Sequence, residues 1–323
     1  MNILVTGAAG LLGTELCLLL KAKGHNVIGI DNGSRYGLIG ETGPRAQVEN
    51  FNVLKAAGVE VLDEDLTEFS AQFLIRDRNI TRIIHAAAQV CHSRKDDVAL
   101  DNVDSNIVAT VRLLDDARRI DGEPSIPFLF ISSSKVYGEN FDDFVAPNGI
   151  DETCPLGDQT HITFFGASKV AADLLAQMYA RQYGMTVGCL RPGCFTGSYA
   201  LATEAQNWFP WLVHCAKNDK VFRIFGDGTQ ERDLLHSLDL ARACLLWCEH
   251  PTSGVWNIGG GPERVITVKA AVKWIGKVRT EICSRRPGDI QRLVIDSRKF
   301  IREYGWRPEI SLGSIFESVM EAS

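Results

Sequence analysis

From residue 2 to about 190 the chain alternates short apolar runs with longer stretches in which apolar residues recur every three or four positions. The runs at 2–6, 26–30, 59–62, 82–86, 127–132 and 186–191 span four to six residues each and read as strands. The stretches 11–23, 101–120 and 165–184 read as helices with one apolar face. Strands apolar on both faces, separated by helices, predict an α/β fold built on a doubly wound parallel sheet. After Arg191-Pro192 the rhythm breaks into glycine-rich loops and short helices. The expected division is therefore a sheet domain over 1–190 and 231–261, and a smaller lobe over 191–230 and 262–323.

The first predicted strand runs directly into Gly7-Ala8-Ala9-Gly10-Leu11-Leu12-Gly13 and then a helix. In that context each glycine has its own reason. Gly7 permits a tight turn, Gly10 lets the backbone approach a pyrophosphate, and Gly13 lets the helix pack close to the strand. A pyrophosphate would rest on the amides of Leu11 and Leu12 at the helix N-terminus. The sheet is accordingly read as a dinucleotide-binding Rossmann domain. Asp31, ending the second strand, is placed to accept hydrogen bonds from an adenosine ribose and to repel a 2′-phosphate, which favours NAD over NADP. Arg35 nearby argues the other way. Asn32 and Ser34 continue that edge, and Asp65-Leu66 after the third strand is placed to border the adenine.

Composition adds mainly exclusions. The 323 residues carry a net charge of −6, which argues against a partner bound through phosphate backbone, so no nucleic acid is expected. Nine cysteines stand apart with no Cys-x-x-Cys, as reduced thiols in a cytosol do, and Cys244 and Cys248 share a helix face as packing residues. The seven histidines show no metal-ligand spacing, and no metal is expected. No basic leader precedes the first apolar run and no uninterrupted apolar stretch reaches ~18 residues, so a cytoplasmic protein without membrane contact is expected.

Thr163-Phe164-Phe165-Gly166-Ala167-Ser168-Lys169 resembles the active-site helix start of the short-chain dehydrogenase/reductase superfamily, whose pattern is Tyr-x-x-x-Lys, with Phe165 where the tyrosine should stand. Positions four apart share a helix face, so Lys169 would favour a phenolate at 165. A free phenol, with a pKa of ~10, needs that help to act as a base near neutrality. Phenylalanine cannot titrate, and loss of one general acid/base typically forfeits about 100- to 10,000-fold in rate.

Further stretches extend the resemblance over essentially the whole chain. His85-Ala86-Ala87-Ala88-Gln89 is similar to the strand-four segment along the cofactor, and Asn106-Ile107-Val108-Ala109-Thr110 to an Asn-x-x-Gly-Thr helix. Ile131-Ser132-Ser133-Ser134-Lys135-Val136-Tyr137-Gly138 is similar to the segment bearing the catalytic Ser/Thr, which falls on Ser133. Together these resemble the extended, NAD-dependent nucleotide-sugar epimerases and dehydratases. The 4,6-dehydratases carry Asp-Glu after that serine, where this chain has Ser134-Lys135, so dehydration is disfavoured. Lys135, Asp31-Asn32-Gly33-Ser34-Arg35, Gln89-Val90 and Trp208-Phe209-Pro210-Trp211 most resemble the CDP-paratose (CDP-tyvelose) 2-epimerases.

What this resemblance implies is an isomerase. Bound NAD would oxidise a sugar carbinol, the keto-sugar would reorient, and the hydride would return to its other face. Ser133 would orient the carbinol and Lys169 would bind the nicotinamide ribose. The partner implied is a CDP- or UDP-linked sugar, met by Ser134, Lys135, Cys194, Asn207, Phe222, Ile224, Arg232, Arg286 and Asp289. Arg232 and Arg286 would clamp the diphosphate. Phe222 and Ile224 would border the base and Asp289 its ribose. Many relatives have Asn at Cys194. A homodimer through the helices near 101–120 and 165–184 is also implied. Phe165 leaves three accounts open: a Tyr-to-Phe exchange made to trap a substrate, a natural variant drawing on Cys194, His161 or a water, and a non-catalytic NAD or nucleotide-sugar binder. A UDP-sugar 4-epimerase is the nearest alternative reaction.

Overall fold

The computed structural model describes residues 1–34, 43–90, 98–119, 125–138, 148–157, 162–204, 207–286 and 289–322, with backbone alone for 43–47. Strands β1 (Asn2–Thr6), β2 (Asn26–Ile30), β3 (Glu60–Leu62), β4 (Arg82–His85), β5 (Phe128–Ile131) and β6 (Val187–Pro192) form within a residue or two of the expected runs. Three short strands follow, β7 (Cys194–Thr196), β8 (Val221–Phe225) and β9 (Glu231–His236), and then β10 (Gly254–Ile258). The principal sheet has seven strands in the order β10-β6-β5-β4-β1-β2-β3, all parallel. The order reverses between β1 and β4, so a crevice opens beyond their carboxyl ends, where such sheets bind ligands.

Alternation along the strands feeds two cores. Ile3, Val5, Leu129 and Ile131 pack toward the helices Leu11–Ala22 and Ser237–Glu249. Leu4, Phe128 and Phe130 pack the other way, toward Gln72–Asp77, Ala109–Arg118 and Phe164–Tyr183. With both faces covered, most strand positions away from the edges are apolar, which is why the runs are conspicuous in the sequence.

Glu231–Ile258 returns to this sheet only in part. The helix Ser237–Glu249 and β10 do so, whereas β9 pairs with β7, with β11 (Val265–Thr267) and with β13 (Arg292–Leu293) in a separate four-stranded sheet. A two-stranded sheet pairs β8 with β12 (Arg279–Cys283). These, with the helices Trp208–Lys217, Val268–Ile275 and Leu312–Ala322, enclose a third core around Phe209, Phe222, Ile224 and Phe316. β9 opens Glu-Arg-Asp before two leucines, and only distant pairing shows which sheet it joins.

The expected helix over 101–120 is three pieces. It starts at Ala99, passes through a π-turn at Asp104–Val108, and continues over Ala109–Arg118. The extra residue of the turn brings Asn106 inward, a common mark of a functional position.

Helix Phe164–Tyr183 is tied to the sheet by a buried ion pair. Asp173 accepts from Arg191 Nε at 2.9 Å and from Nη2 at 2.8 Å, and also from Ser132 Oγ at 2.6 Å. Removing one partner would strand a buried charge, so Asp173→Ala should cost about 3–5 kcal/mol. Urea unfolding at neutral pH measures this; a loss below about 1 kcal/mol, the scale of a surface pair, would contradict it.

Candidate functional site

One cleft collects most of the expected residues. Gly7, Gly10, Leu11, Leu12, Gly13, Asp31, Asn32, Ser34, Asp65, Leu66, Ala86, Ala87, Ala88 and Gln89 line one end and Ser132, Ser133, Phe165 and Lys169 the other. Sequence reasoning missed several further lining residues, among them Pro192, Gly193 and Phe195. The Pro-Gly that closes β6 at a strand end was the signal that could have found them.

At the glycine loop, Gly7 has φ +67° and a Cβ there would lie 2.7 Å from the Ala87 amide nitrogen. A Cβ on Gly13 would sit 2.0 Å from the Gly7 carbonyl oxygen. Only glycine fits either place. The helix Leu11–Ala22 has no side-chain cap and no acidic residue in its first turn, so its first amides and positive dipole end face the cleft. Asp31 is fixed by accepting from the Ala9 amide at 3.0 Å and the Gly33 amide at 2.9 Å. Asn32 donates to Asp65 at 2.9 Å. Burial would raise the Asp65 carboxyl, but hydrogen bonds from Thr67 and Asn32 outweigh it and hold it below its usual range. Asn50, unforeseen from sequence, braces the loop by donating to the Ala9 carbonyl at 2.9 Å. This cradle suits a dinucleotide: bare amides for the pyrophosphate and a fixed carboxylate for a ribose.

Asn106 does not line the cleft but holds its wall. Its Oδ1 accepts from the Gln89 amide at 2.8 Å, and its Nδ2 donates to the Gln89 carbonyl and to Ser168 Oγ, each at 2.9 Å. Thr163 caps the helix, accepting from the Gly166 amide at 3.1 Å. That cap sets residues 165 and 169 side by side on the face toward β5. Ser133 Oγ caps the next turn, accepting from the Lys135 amide at 3.1 Å, and Ser133 also lines the cleft. Ser134 is buried in the 3₁₀ turn Ser134–Tyr137.

Lys169 is 2% exposed and donates to the Ile131 carbonyl at 2.9 Å, with its ammonium 4.7 Å from the centre of the Phe130 ring. Burial pulls its amine down to about 7, with Asp173 opposing. Tyr137, the nearby phenol, is fully engaged. Its hydroxyl donates to Asn257 at 2.7 Å and accepts from Arg191 at 3.0 Å, and burial pushes it up to about 12.

Beyond Gly193 the chain passes into the second lobe. Burial raises the Cys194 thiol, while the Arg232 charge, a Trp208 hydrogen bond and the Lys135 charge pull it back. Arg232 is paired with Asp289 at 2.7 Å, and Gln230 donates to Asp289 at 3.1 Å. Arg286 lies over the Phe225 ring at 3.6 Å. Asn207 is left-handed, φ +55°, at the start of Trp208–Lys217. Phe222 and Ile224 are packed into the third core, 4% and 7% exposed, and Phe225 is the aromatic residue of that strand beside an arginine. Arg35, His161, Pro287 and Gly288 lie outside the described residues.

The profile of the NAD dependent epimerase/dehydratase family matches residues 3–259. The chain belongs to that family. It is 29% identical to the UDP-glucose 4-epimerase of Corynebacterium glutamicum, over 96% of this chain and 91% of that one. It is 27% identical to the CDP-paratose 2-epimerase of Salmonella typhi, over 96% of each. Among solved structures, UDP-glucuronic acid 4-epimerase from Bacillus cereus, in complex with UDP-glucuronic acid and NAD, superposes with a TM-score of 0.85 at 26% identity, covering 100% of this chain and 98% of that one. The cofactor of the family is NAD, and the cradle described above fits it. Among the described residues no helix is long and apolar enough to cross a membrane.

Gly13→Ala drives a methyl group into the Gly7 carbonyl and should lower stability by about 1–3 kcal/mol while stripping NAD from the purified protein. Denaturation and cofactor content measure the two effects, and full NAD retention would contradict the cradle. Lys169 gives a pH signature. Its folded pKa is about 7 against 10.5 unperturbed. Over that interval the unfolded chain binds more protons, so this site adds stability as pH rises. Lys169→Met should flatten that rise in urea unfolding, and an unchanged slope would contradict the shift.

Proposed function

We propose that the chain epimerises a nucleotide-linked sugar by transient oxidation of one carbinol to a ketone. The observation that carries this reading is convergence. Ser133, Phe165 and Lys169 line one end of the cleft whose other end is the glycine cradle, and Pro192, Gly193 and Phe195 line it where β6 ends and the chain passes into the second lobe. NAD, when bound, supplies a hydride acceptor that is restored in the return step. The chain's own residues do the rest. The amides at Leu11 and Leu12 take the pyrophosphate, Asp31 an adenosine hydroxyl, and Lys169 a nicotinamide ribose hydroxyl. Ser133 orients the sugar hydroxyl. Arg232, preset by Asp289, and Arg286 take the diphosphate, with guanidinium suited to its paired oxygens.

Within that class the reading is a CDP-paratose (CDP-tyvelose) 2-epimerase type, acting at C2 of a CDP-linked deoxyhexose. Ser134-Lys135 after Ser133 and the Trp208–Trp211 segment support it. A second reading, a UDP-sugar 4-epimerase, is supported by comparable similarity, 29% identity to the UDP-glucose 4-epimerase against 27% to the CDP-paratose 2-epimerase. A homodimer is proposed through exposed apolar residues on the adjacent helices, Leu100 and Val103 with Leu174 and Met178. The eight cysteines among the described residues are free thiols, which supports a cytoplasmic setting.

Phe165 decides how active this chain is. The chain and Phe165→Tyr should be incubated with CDP- and UDP-linked hexoses and deoxyhexoses and followed by NMR for the epimer. Tyrosine should raise turnover by about 100-fold or more. If neither form converts any nucleotide sugar while both hold NAD, the non-catalytic binder is correct and the epimerase reading fails.

A further inference from the structure

We infer that His85 is a positioning residue for the cofactor cleft: held as the Nε2–H tautomer between Thr6 and Thr110, it ties the end of β1 to the π-turn and fixes the wall Ala86–Gln89. The inference rests on the NAD cradle described above and on no particular sugar. Residues 86–89 need such support, because they follow β4, lie outside any strand and line the cleft. The Ala86 amide donates to the Thr6 carbonyl at 3.2 Å and the Ala87 amide to Thr6 Oγ1 at 3.3 Å. At the far end, the Asn106 side chain bonds both the amide and the carbonyl of Gln89. Thr6 leads into Gly7 of the glycine loop, and Asn106 sits in the π-turn and reaches Ser168, which donates to the Phe165 carbonyl at 2.9 Å. Thr6 and Asn106 thus hold the two ends of the wall, and His85 and Thr110 join them.

The hydroxyls fix the state of the ring. Thr6, His85, Asn106 and Thr110 are all fully buried, so their polar groups depend on one another. Thr110 Oγ1 lies 2.7 Å from the Asn106 carbonyl oxygen, and since a carbonyl brings no proton, the threonine hydroxyl donates there. Its contact with His85 Nε2 at 2.9 Å is then an acceptor's, and Nε2 carries the proton. At the other nitrogen, Thr6 Oγ1 stands 2.7 Å from Nδ1. That oxygen accepts the Ala87 amide and gives its own proton to Nδ1, which is therefore bare. An imidazolium would leave the Thr6 proton without this acceptor. The surroundings agree. The ring packs against Phe128 and Phe130, with centroids 5.8 and 5.9 Å away, and among the described residues no carboxylate is bonded to it. Burial, with the Lys169 charge, pulls the imidazole down to about 3. All the donors run one way, from the Ala87 amide through Thr6, His85 and Thr110 to the Asn106 carbonyl, so each bond polarises the next.

Thr6→Val and Thr110→Val each remove a hydroxyl with little change of shape and leave a buried partner unpaired. Each should speed NAD dissociation from the purified protein by about 10-fold. One cut already breaks the series, so the double variant should match the larger single loss rather than the product of the two. Thr110→Ser, which keeps a hydroxyl, should hold NAD as the unaltered chain does. NMR of nitrogen-labelled histidine, with His85 identified by its contacts to Phe128 and Phe130, should show a protonated Nε2 and a bare Nδ1 between about pH 5 and 8, where an ordinary histidine changes charge. Single losses that multiply in the double variant, or a Thr110→Ser no better than Thr110→Val, mean separate local packing and overturn the proposal. So does NAD retention unchanged in both valine variants, or a His85 ring that is charged or protonated at Nδ1 over that range. Absence of NAD from the unaltered chain removes the cradle and this proposal together.

Discussion

The end of the cleft lined by Phe165 and Lys169 is braced by the buried pair of Asp173 and Arg191. The pair joins the helix that carries Phe165 and Lys169 to the strand that leads into the second lobe, with side-chain exposures of 0% for the aspartate and 4% for the arginine. It also organises its neighbours. Ser132 donates to Asp173, Arg191 donates to the Tyr137 hydroxyl, and Tyr137 donates to Asn257 in β10. Glu152 then accepts from the Asn257 amide. Buried charges are costly unless paired and hydrogen-bonded, and here both carboxylate oxygens of Asp173 are engaged twice. The result is a fixed register between helix, β5, β6 and β10, and a lysine whose nearby carboxylate is already occupied.

The same arrangement explains why Phe165 is tolerated. A phenylalanine ring fills the space of a tyrosine ring with little cost to packing, and Phe165 is 6% exposed, flanked by a helix cap at Thr163 and the Asn106–Ser168 bond. A ring without a hydroxyl therefore leaves fold and cofactor cradle undisturbed, whereas on the proposed function it would remove a proton acceptor. Stability and chemistry are separable at this position, so the intact scaffold says little about how fast the site works.

Much of this was legible in the sequence for definite reasons. Strands buried on both faces cannot hide, and β1, β2 and β5 stand out as apolar runs. Gly7 and Gly13 are legible because no other residue fits beside Ala87 and the Gly7 carbonyl. Residues 165 and 169 stand out through the resemblance to the Tyr-x-x-x-Lys pattern, and helical spacing puts them on one face. What stayed hidden was long-range or irregular. The π-turn at Asp104–Val108 has no periodic signature, β9 declares its sheet only through β7, β11 and β13, and Arg191 finds Asp173 across 18 positions. Phe222 and Ile224, expected to border a base, turn inward instead: Val-Phe-Arg-Ile-Phe is apolar at four of five positions, so the sequence of β8 does not mark which face is core, and the structure shows both buried in the third core.

The second lobe presents two arginines in opposite states. Arg232 is 13% exposed and compensated by Asp289, so an arriving anion there must compete with a carboxylate. Arg286 lies over the Phe225 ring, and desolvation pulls its guanidinium below its ordinary value, Glu204 and Asp289 pulling back. Among the described residues no carboxylate is bonded to it. Arg286 is solvent-exposed, so its charge is carried by water and by the Phe225 ring rather than by a bonded anion. Contact with the aromatic face also holds the planar fork in one orientation. On the proposed function, a diphosphate would have to compete with Asp289 at Arg232, whereas at Arg286 it would meet a guanidinium with no bonded carboxylate among the described residues.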